Sequence, residues 1–85
     1  MKKEIRDIIT AQPAPLYSTE NVPENDKRVL FRLAHLGGWM WTAYEADEVE
    51  TDDILCFGRV RGLESELGYF SVDEVLEAGG FLIPW

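Results

Sequence analysis

Carboxylates are the most frequent reactive groups in this sequence, and two of them stand two residues apart. Glu64 and Glu66 lie in the segment GLESELGYF, with Tyr69 three residues further on. Two acids on one face of a strand are the arrangement that glycosidases use for proton transfer and nucleophilic attack. A small enzyme or ligand-binding domain using Glu64, Glu66 and Tyr69 is therefore one hypothesis. Against it, an 85-residue chain leaves little room for a sugar cleft, and GLESEL is also typical of a turn with solvated acids.

A second group of acids lies between Tyr44 and Leu55, with no basic residue among them: Glu45, Asp47, Glu48, Glu50, Asp52 and Asp53. The stretch lacks the glycine and the ligand spacing of a calcium-binding loop, so we expect no metal site. The net charge of −8 disfavours direct binding to nucleic acid or to an anionic membrane, because both depend on lysine and arginine. The same charge attracts a basic protein surface, although it also serves solubility. We predict that these six acids contact such a partner, together with Glu64, Glu66 and Tyr69.

The single histidine and the single cysteine do not predict a catalytic site. His35 precedes the turn LGG, and one histidine with one cysteine gives too few ligands for zinc. Cys56 lies in an apolar, strand-like run, which predicts a buried thiol and favours a reducing cytoplasm. The glycines of FGRVRG and LGG fit no phosphate-binding pattern. We therefore predict no catalytic residue, no metal and no cofactor.

Aromatic and basic residues in the predicted strands leave two alternatives open. Aromatic side chains on a sheet can stack nucleic-acid bases, but such platforms normally lie in a basic groove. Core packing is the expected role for most of them, and those that stay exposed are candidates for protein contact: Trp39, Trp41, Tyr44, Tyr69 and Phe70. Arg59 and Arg61 have two possible roles. They either form a small basic strip on one sheet face or pair across strands with Glu45 or Asp47.

The apolar periodicity changes along the chain from helical to strand-like. Ile5, Ile8 and Ile9 predict a short amphipathic helix over 2–11, which the prolines of QPAPLY end. The following stretch STENVPENDK predicts a loop or a single helical turn after Pro23. Alternating residues from Arg28 onward then predict four strands, RVLFRLAH, WMWTAYEA, ILCFGRVRG and ELGYFS. The acidic stretch DEVETDD is predicted to be a long, solvated connection between the second strand and the third.

The residues after the fourth strand predict a capped helix. Ser71 and Glu74 have the spacing of a capping box, in which each side chain binds the other residue's backbone N–H. Gly79 and Gly80 end this helix, and FLIPW leaves as an extended segment suited to a sheet edge. Because short connections favour antiparallel pairing, we predict a single α+β domain over 1–85. Its twisted antiparallel sheet is a meander of four to five strands, packed by two short helices.

Three segments of the chain resemble a known protein family. They are PLYSTENVP (15–23), WMWTAYEAD (39–47) and CFGRVRGLESELGYFSVDEV (56–75). They are similar to an uncharacterised family of small bacterial, plasmid and phage proteins that share an LYSTE opening and an FGxVxGxExELGYFS block. The resemblance extends from about Pro15 to Ile83. It implies a mobile genetic element as the setting, and it assigns no catalytic residue.

Charge and setting together predict a small, acidic, non-enzymatic binding protein of a phage or plasmid. Its expected target is a host defence nuclease, by analogy with anti-CRISPR and anti-restriction proteins. The carboxylates of such inhibitors take the place of nucleic-acid phosphates in the nuclease channel. The enzyme hypothesis stated above is one alternative. The other is a structural accessory protein, either a monomer or a homodimer formed through the FLIPW edge.

Overall fold

The computed structural model describes residues 1–84, and its centre is an antiparallel sheet of five strands. The strands are β1 (Phe31–His35), β2 (Trp39–Glu48), β3 (Ile54–Arg61), β4 (Ser65–Ser71) and β5 (Phe81–Leu82). Their spatial order is β4-β3-β2-β1-β5. The first four strands form the predicted meander, and β5 from the FLIPW segment pairs with β1. The predicted α+β fold is thereby confirmed.

Two helices cover one face of this sheet. They are α1 (Lys2–Ala11) and α2 (Val72–Glu77), and a one-turn 3-10 helix (Glu24–Asp26) follows Pro23. Ile5 of α1 and Val72 of α2 are fully buried in one cluster with sheet residues such as Phe31 and Ile54. The predicted apolar stripe of the first helix is therefore confirmed. No helix within residues 1–84 combines the length and the apolar character needed to cross a membrane.

Strand β2 contains a bulge that the alternation of its side chains does not predict. The β2–β3 register shifts between Ala43 and Glu45, so one additional residue lies on the β2 side. Beyond the bulge Ala46 joins the core, and β2 continues to Glu48. The prediction that a long, solvated connection begins at Asp47 is therefore wrong. The connection comprises only residues 49–53 and is closed by a bond from the Val49 N–H to the Asp53 carbonyl oxygen (3.0 Å).

Strand β1 is shorter than the sequence predicts. It begins at Phe31 rather than at Arg28, although the Leu30 N–H still donates to the Ala43 carbonyl oxygen (2.8 Å). Strict alternation in RVLFRLAH would place Leu30 on the face opposite Phe31, yet both side chains are buried in the core. Because Leu30 precedes the regular strand, the strict alternation of side chains does not apply to it.

Candidate functional site

The nine predicted contact residues do not form one surface. The acids of the β2–β3 connection lie at one end of β3, whereas Glu64 and Glu66 lie at the other end. Eight extended residues of β3 separate the two groups by roughly 25 Å. Each acid therefore has to be assigned by its own contacts.

Glu45 is an internal anchor, since its side chain is only 2% exposed. Its carboxylate accepts hydrogen bonds from the Tyr17 N–H (2.7 Å), the Thr19 N–H (3.0 Å) and the Thr19 hydroxyl. Burial alone would raise the pKa of Glu45, but these bonds and the Lys27 charge hold it below its usual value. This carboxylate thus fixes the segment around Tyr17 to the uncovered face of the sheet. Asp47 extends the attachment by accepting from the Leu16 N–H (3.0 Å).

Asp53 helps to cap helix α2. Its carboxylate accepts from the Ser71 hydroxyl and from the Asp73 N–H (2.9 Å), while Ser71 accepts from the Glu74 N–H (3.1 Å). Burial would raise the pKa of Asp53, but these bonds together with one from the Ile54 N–H lower it. The serine half of the predicted capping box is confirmed. The capping box assigns the carboxylate at this helix start to Glu74. In the structure it is Asp53 instead, which accepts from the Asp73 N–H.

Glu48 and Asp52 both bind one arginine of helix α1. The Arg6 Nε lies 2.7 Å from the Glu48 carboxylate, and an Arg6 terminal nitrogen lies 2.5 Å from the Asp52 carboxylate. Both carboxylates remain largely exposed, so each pair contributes little to stability. These acids stay accessible, but Arg6 offsets one of their two negative charges.

Three of the predicted acids, Glu50, Glu64 and Glu66, are exposed and have no hydrogen-bond or ion-pair partner among residues 1–84. Glu50 is isolated in the β2–β3 connection. Glu64 and Glu66 instead line a hollow of about 290 Å³ with Trp39, Val60 and Leu63, which we call the acidic hollow. Partnerless carboxylates and apolar side chains therefore meet in one place at the β3–β4 turn.

The apolar walls of the acidic hollow are accessible to a partner. The Leu63 side chain is 95% exposed and the Trp39 side chain 40% exposed. Trp39 stacks on Trp41, with ring centroids 5.9 Å apart, and packs over Gly62, where a Cβ atom would lie 2.2 Å from the Trp39 ring. The indole is thus held in place while part of it faces solvent.

Tyr69 lies on the opposite face of the sheet in a second hollow. Its ring contacts Phe57 at 5.2 Å and Tyr17 at 6.3 Å between centroids. With Val22 and Leu67 these rings line a space of about 390 Å³, the aromatic hollow. The Tyr69 side chain is 51% exposed and therefore accessible from solvent.

Several surface residues were missed by the sequence reasoning. Tyr17 reaches Tyr69 because its backbone has a positive φ of 71°, which is uncommon for a non-glycine residue. The hydrogen bonds to Glu45 hold this segment in place, and neither feature has a sequence signal. Leu63 and Leu67 were also missed, although an apolar residue beside a predicted turn is a usable indication of exposure.

Arg59 does not pair as predicted. Instead of Glu45 or Asp47, its guanidinium binds the Glu24 carboxylate through two nitrogens, one of them Nε at 3.0 Å. The Tyr44 hydroxyl donates to the same carboxylate (2.9 Å). The bonds from Arg59 and Tyr44 lower the pKa of Glu24 to about 2. The cross-strand assignment fails because Arg59 lies opposite Thr42 in the register.

The remaining candidate groups are structural. The His35 Nδ1 accepts from the Gly37 N–H (2.9 Å), as expected of a turn histidine. Cys56 is fully buried, and burial raises the pKa of its thiol. Glu66 and Tyr69 lie on opposite faces, so the three residues of the enzyme hypothesis do not converge. Within the described part of the chain, no group of three or more His, Cys, Asp or Glu residues is arranged to hold a metal ion.

No family model, no curated protein and no solved structure matches this chain.

Proposed function

We propose that this chain is a small, non-enzymatic binding protein with which a phage or plasmid inhibits a host defence nuclease. The observation that supports the proposal is the acidic hollow. There two carboxylates without a partner, Glu64 and Glu66, stand beside the exposed side chains of Trp39 and Leu63.

The acidic hollow suits a lysine or arginine side chain of a partner. The aliphatic part of such a side chain packs against Leu63, and its charged end binds Glu64 or Glu66. The face of Trp39 adds a cation–π contact. Because unpaired carboxylates need no rearrangement of an internal ion pair, they bind an incoming cation at lower cost than Glu48 or Asp52.

The partner's surface is proposed to be basic because the net charge of −8 attracts cations over a long range. A nuclease channel that binds nucleic acid is such a surface, and the resemblance to mobile-element proteins supplies the reason to choose it. In this proposal Glu64 and Glu66 occupy phosphate positions, and Tyr69 contacts the rim of the channel from the opposite face of the sheet.

A DNA-cleavage assay tests the proposal. A purified CRISPR effector nuclease and a restriction endonuclease are each incubated with DNA and increasing amounts of the protein. We expect stoichiometric inhibition of one of them, weakening steeply as salt is raised because exposed charges are screened.

A charge-matched pair of double variants identifies the surface. Glu64→Lys with Glu66→Lys should weaken inhibition at least about tenfold, since two attractive contacts become repulsive. Glu50→Lys with Glu77→Lys changes the net charge equally at exposed acids outside the acidic hollow and should retain inhibition. Equal loss in both variants would mean that net charge alone acts, and absence of inhibition for every nuclease tested would refute the function.

A further inference from the structure

The backbone of β4 forms an open sheet edge. This seven-residue strand pairs with β3 on one side only, and no other described strand lies beside it. The Gly62 N–H donates to the Glu64 carbonyl oxygen (2.9 Å), and this bond sets the alternation of hydrogen-bonded pairs along β3 and β4. In that alternation Glu66, Gly68 and Phe70 bind β3, whereas the N–H and C=O groups of Leu67 and Tyr69 point toward the open edge.

The two faces of this edge differ in chemistry. Leu67 and Tyr69 project into the aromatic hollow, and Glu66 projects into the acidic hollow. A strand placed beside β4 would therefore meet apolar side chains on one face and carboxylates on the other. Its own side chains alternate between the same two faces.

Gly68 at the middle of β4 has no reason within the described structure to be glycine. Its φ is not in the left-handed region, and a Cβ atom built on it meets nothing within 4 Å. Each of the other six glycines has either a positive φ or a neighbour that a Cβ would approach to 3.0 Å or less. Glycine inside a strand often marks a place where another backbone approaches closely.

Long open edges are normally blunted by proline, lysine or a bulge, because they pair with other chains. Strand β4 carries no proline, lysine or bulge, and its one charged residue, Glu66, repels an acidic segment but not a basic one. Leu67 and Tyr69 on its other face are 42% and 51% exposed. We propose that β4 receives an extended segment of a basic partner, which adds to the sheet as a sixth strand. The chemistry of the two faces requires apolar residues alternating with lysine or arginine.

This inference takes one premise from the proposed function, namely that the partner is a basic protein. A second copy of the chain is a poorer occupant, since each copy carries a net charge of −8 and like charges repel. The carboxylates at Glu64 and Glu66 instead complement a cationic segment.

A labelled octapeptide alternating lysine and valine is the probe, with its glutamate–valine counterpart as the charge control. Binding is followed by fluorescence polarisation at low salt. Leu67→Pro removes an N–H that points to the open edge and is not needed by β3, while Leu67→Ala removes the side chain but keeps that N–H. We expect the lysine peptide to bind at least about tenfold more weakly to Leu67→Pro than to Leu67→Ala, since edge hydrogen bonds are lost.

Gly68→Thr provides an independent variant whose folding is expected to be intact, because the added Cβ has open space. It should keep the wild-type melting temperature or raise it, and weaken lysine-peptide binding, because its side chain would occupy the space beside Glu66 that an incoming lysine uses. Gly58→Ala is the contrasting variant, since its Cβ would lie 1.7 Å from the Thr42 carbonyl oxygen and should disrupt the fold.

Equal peptide binding by Leu67→Pro and Leu67→Ala, or no peptide binding by the wild type, would overturn strand addition. Equal binding of the two peptides would overturn the choice of a basic segment. A dimer that is seen in sedimentation experiments and abolished by Leu67→Pro would also overturn that choice, because the second copy would then be the occupant. Nuclease inhibition that is unaffected by Leu67→Pro would leave the proposed function standing and strand addition refuted. Peptide binding without nuclease inhibition would leave strand addition standing and refute the proposed function.

Discussion

Glu45→Gln is the change that separates an internal role of the acidic segment from an external one. The substitution keeps the size of the side chain and removes its charge. Two backbone N–H groups and one hydroxyl donate to this buried carboxylate, from Tyr17 and Thr19. Glutamine retains one acceptor oxygen. Its NH₂ group cannot accept a hydrogen bond, yet it would face an N–H or O–H donor.

The magnitude follows from those three bonds. A hydrogen bond to a charged group contributes about 1.5–3 kcal/mol, and a buried donor left unsatisfied costs a similar amount. Since one acceptor survives in glutamine, we expect the free energy of unfolding to fall by about 2–4 kcal/mol. In a domain of this size that corresponds to a decrease in melting temperature of roughly 10–25 °C.

Urea unfolding followed by circular dichroism measures this loss, with Glu50→Gln as the matched control. Glu50 is exposed and has no partner in the described chain, so its change should stay within about 0.5 kcal/mol. Acid should also lower the stability, because the folded pKa of Glu45 lies below its usual value of 4.5. The stabilisation is complete above that pH and is lost as the pH falls below it. A loss below 0.5 kcal/mol for Glu45→Gln would refute the anchoring role.

Three further predictions concern residues that the structure assigns to the interior or to ion pairs. Asp53→Ala should lower the free energy of unfolding by about 1–3 kcal/mol, measured in urea, because the Ser71 hydroxyl and the Asp73 N–H lose their acceptor. The pKa of Glu24 is about 2 in the folded chain, so its contribution to stability should disappear between pH 4.5 and 2, and Glu24→Gln should show a weaker pH dependence of unfolding in that range. Cys56 should resist iodoacetamide in the native protein and react in urea, as judged by mass, because its thiol is buried and its pKa raised.

The elements of the fold could be predicted because their signals are local. Ile5, Ile8 and Ile9 mark helix α1, and Ser71 marks the start of α2, each within a few residues. The alternating strands and their short turns then leave few arrangements other than a meander. The bulge near Glu45 was hidden, because no glycine or proline accompanies it in the sequence.

The roles of the acids could not be predicted because their partners are distant in sequence. Glu45 binds residues 26 and 28 positions away, and Arg59 reaches Glu24 across 35 positions. Sequence spacing shows which acids are close neighbours along the chain, but not which donors tertiary folding brings to them. The composition therefore predicted one acidic surface where the fold contains several separate contacts.

That separation determines where a partner can bind. A carboxylate that already accepts bonds from Tyr17 or Ser71 loses them if it turns to an incoming cation, so internal bonding opposes its use in docking. Glu64 and Glu66 incur no such loss, and they stand at the end of a strand whose outer backbone groups are unpaired within the described sheet. Charge, apolar contact and backbone hydrogen bonding thus coincide at β4. Any partner that uses all three must approach this edge rather than the acidic connection after β2.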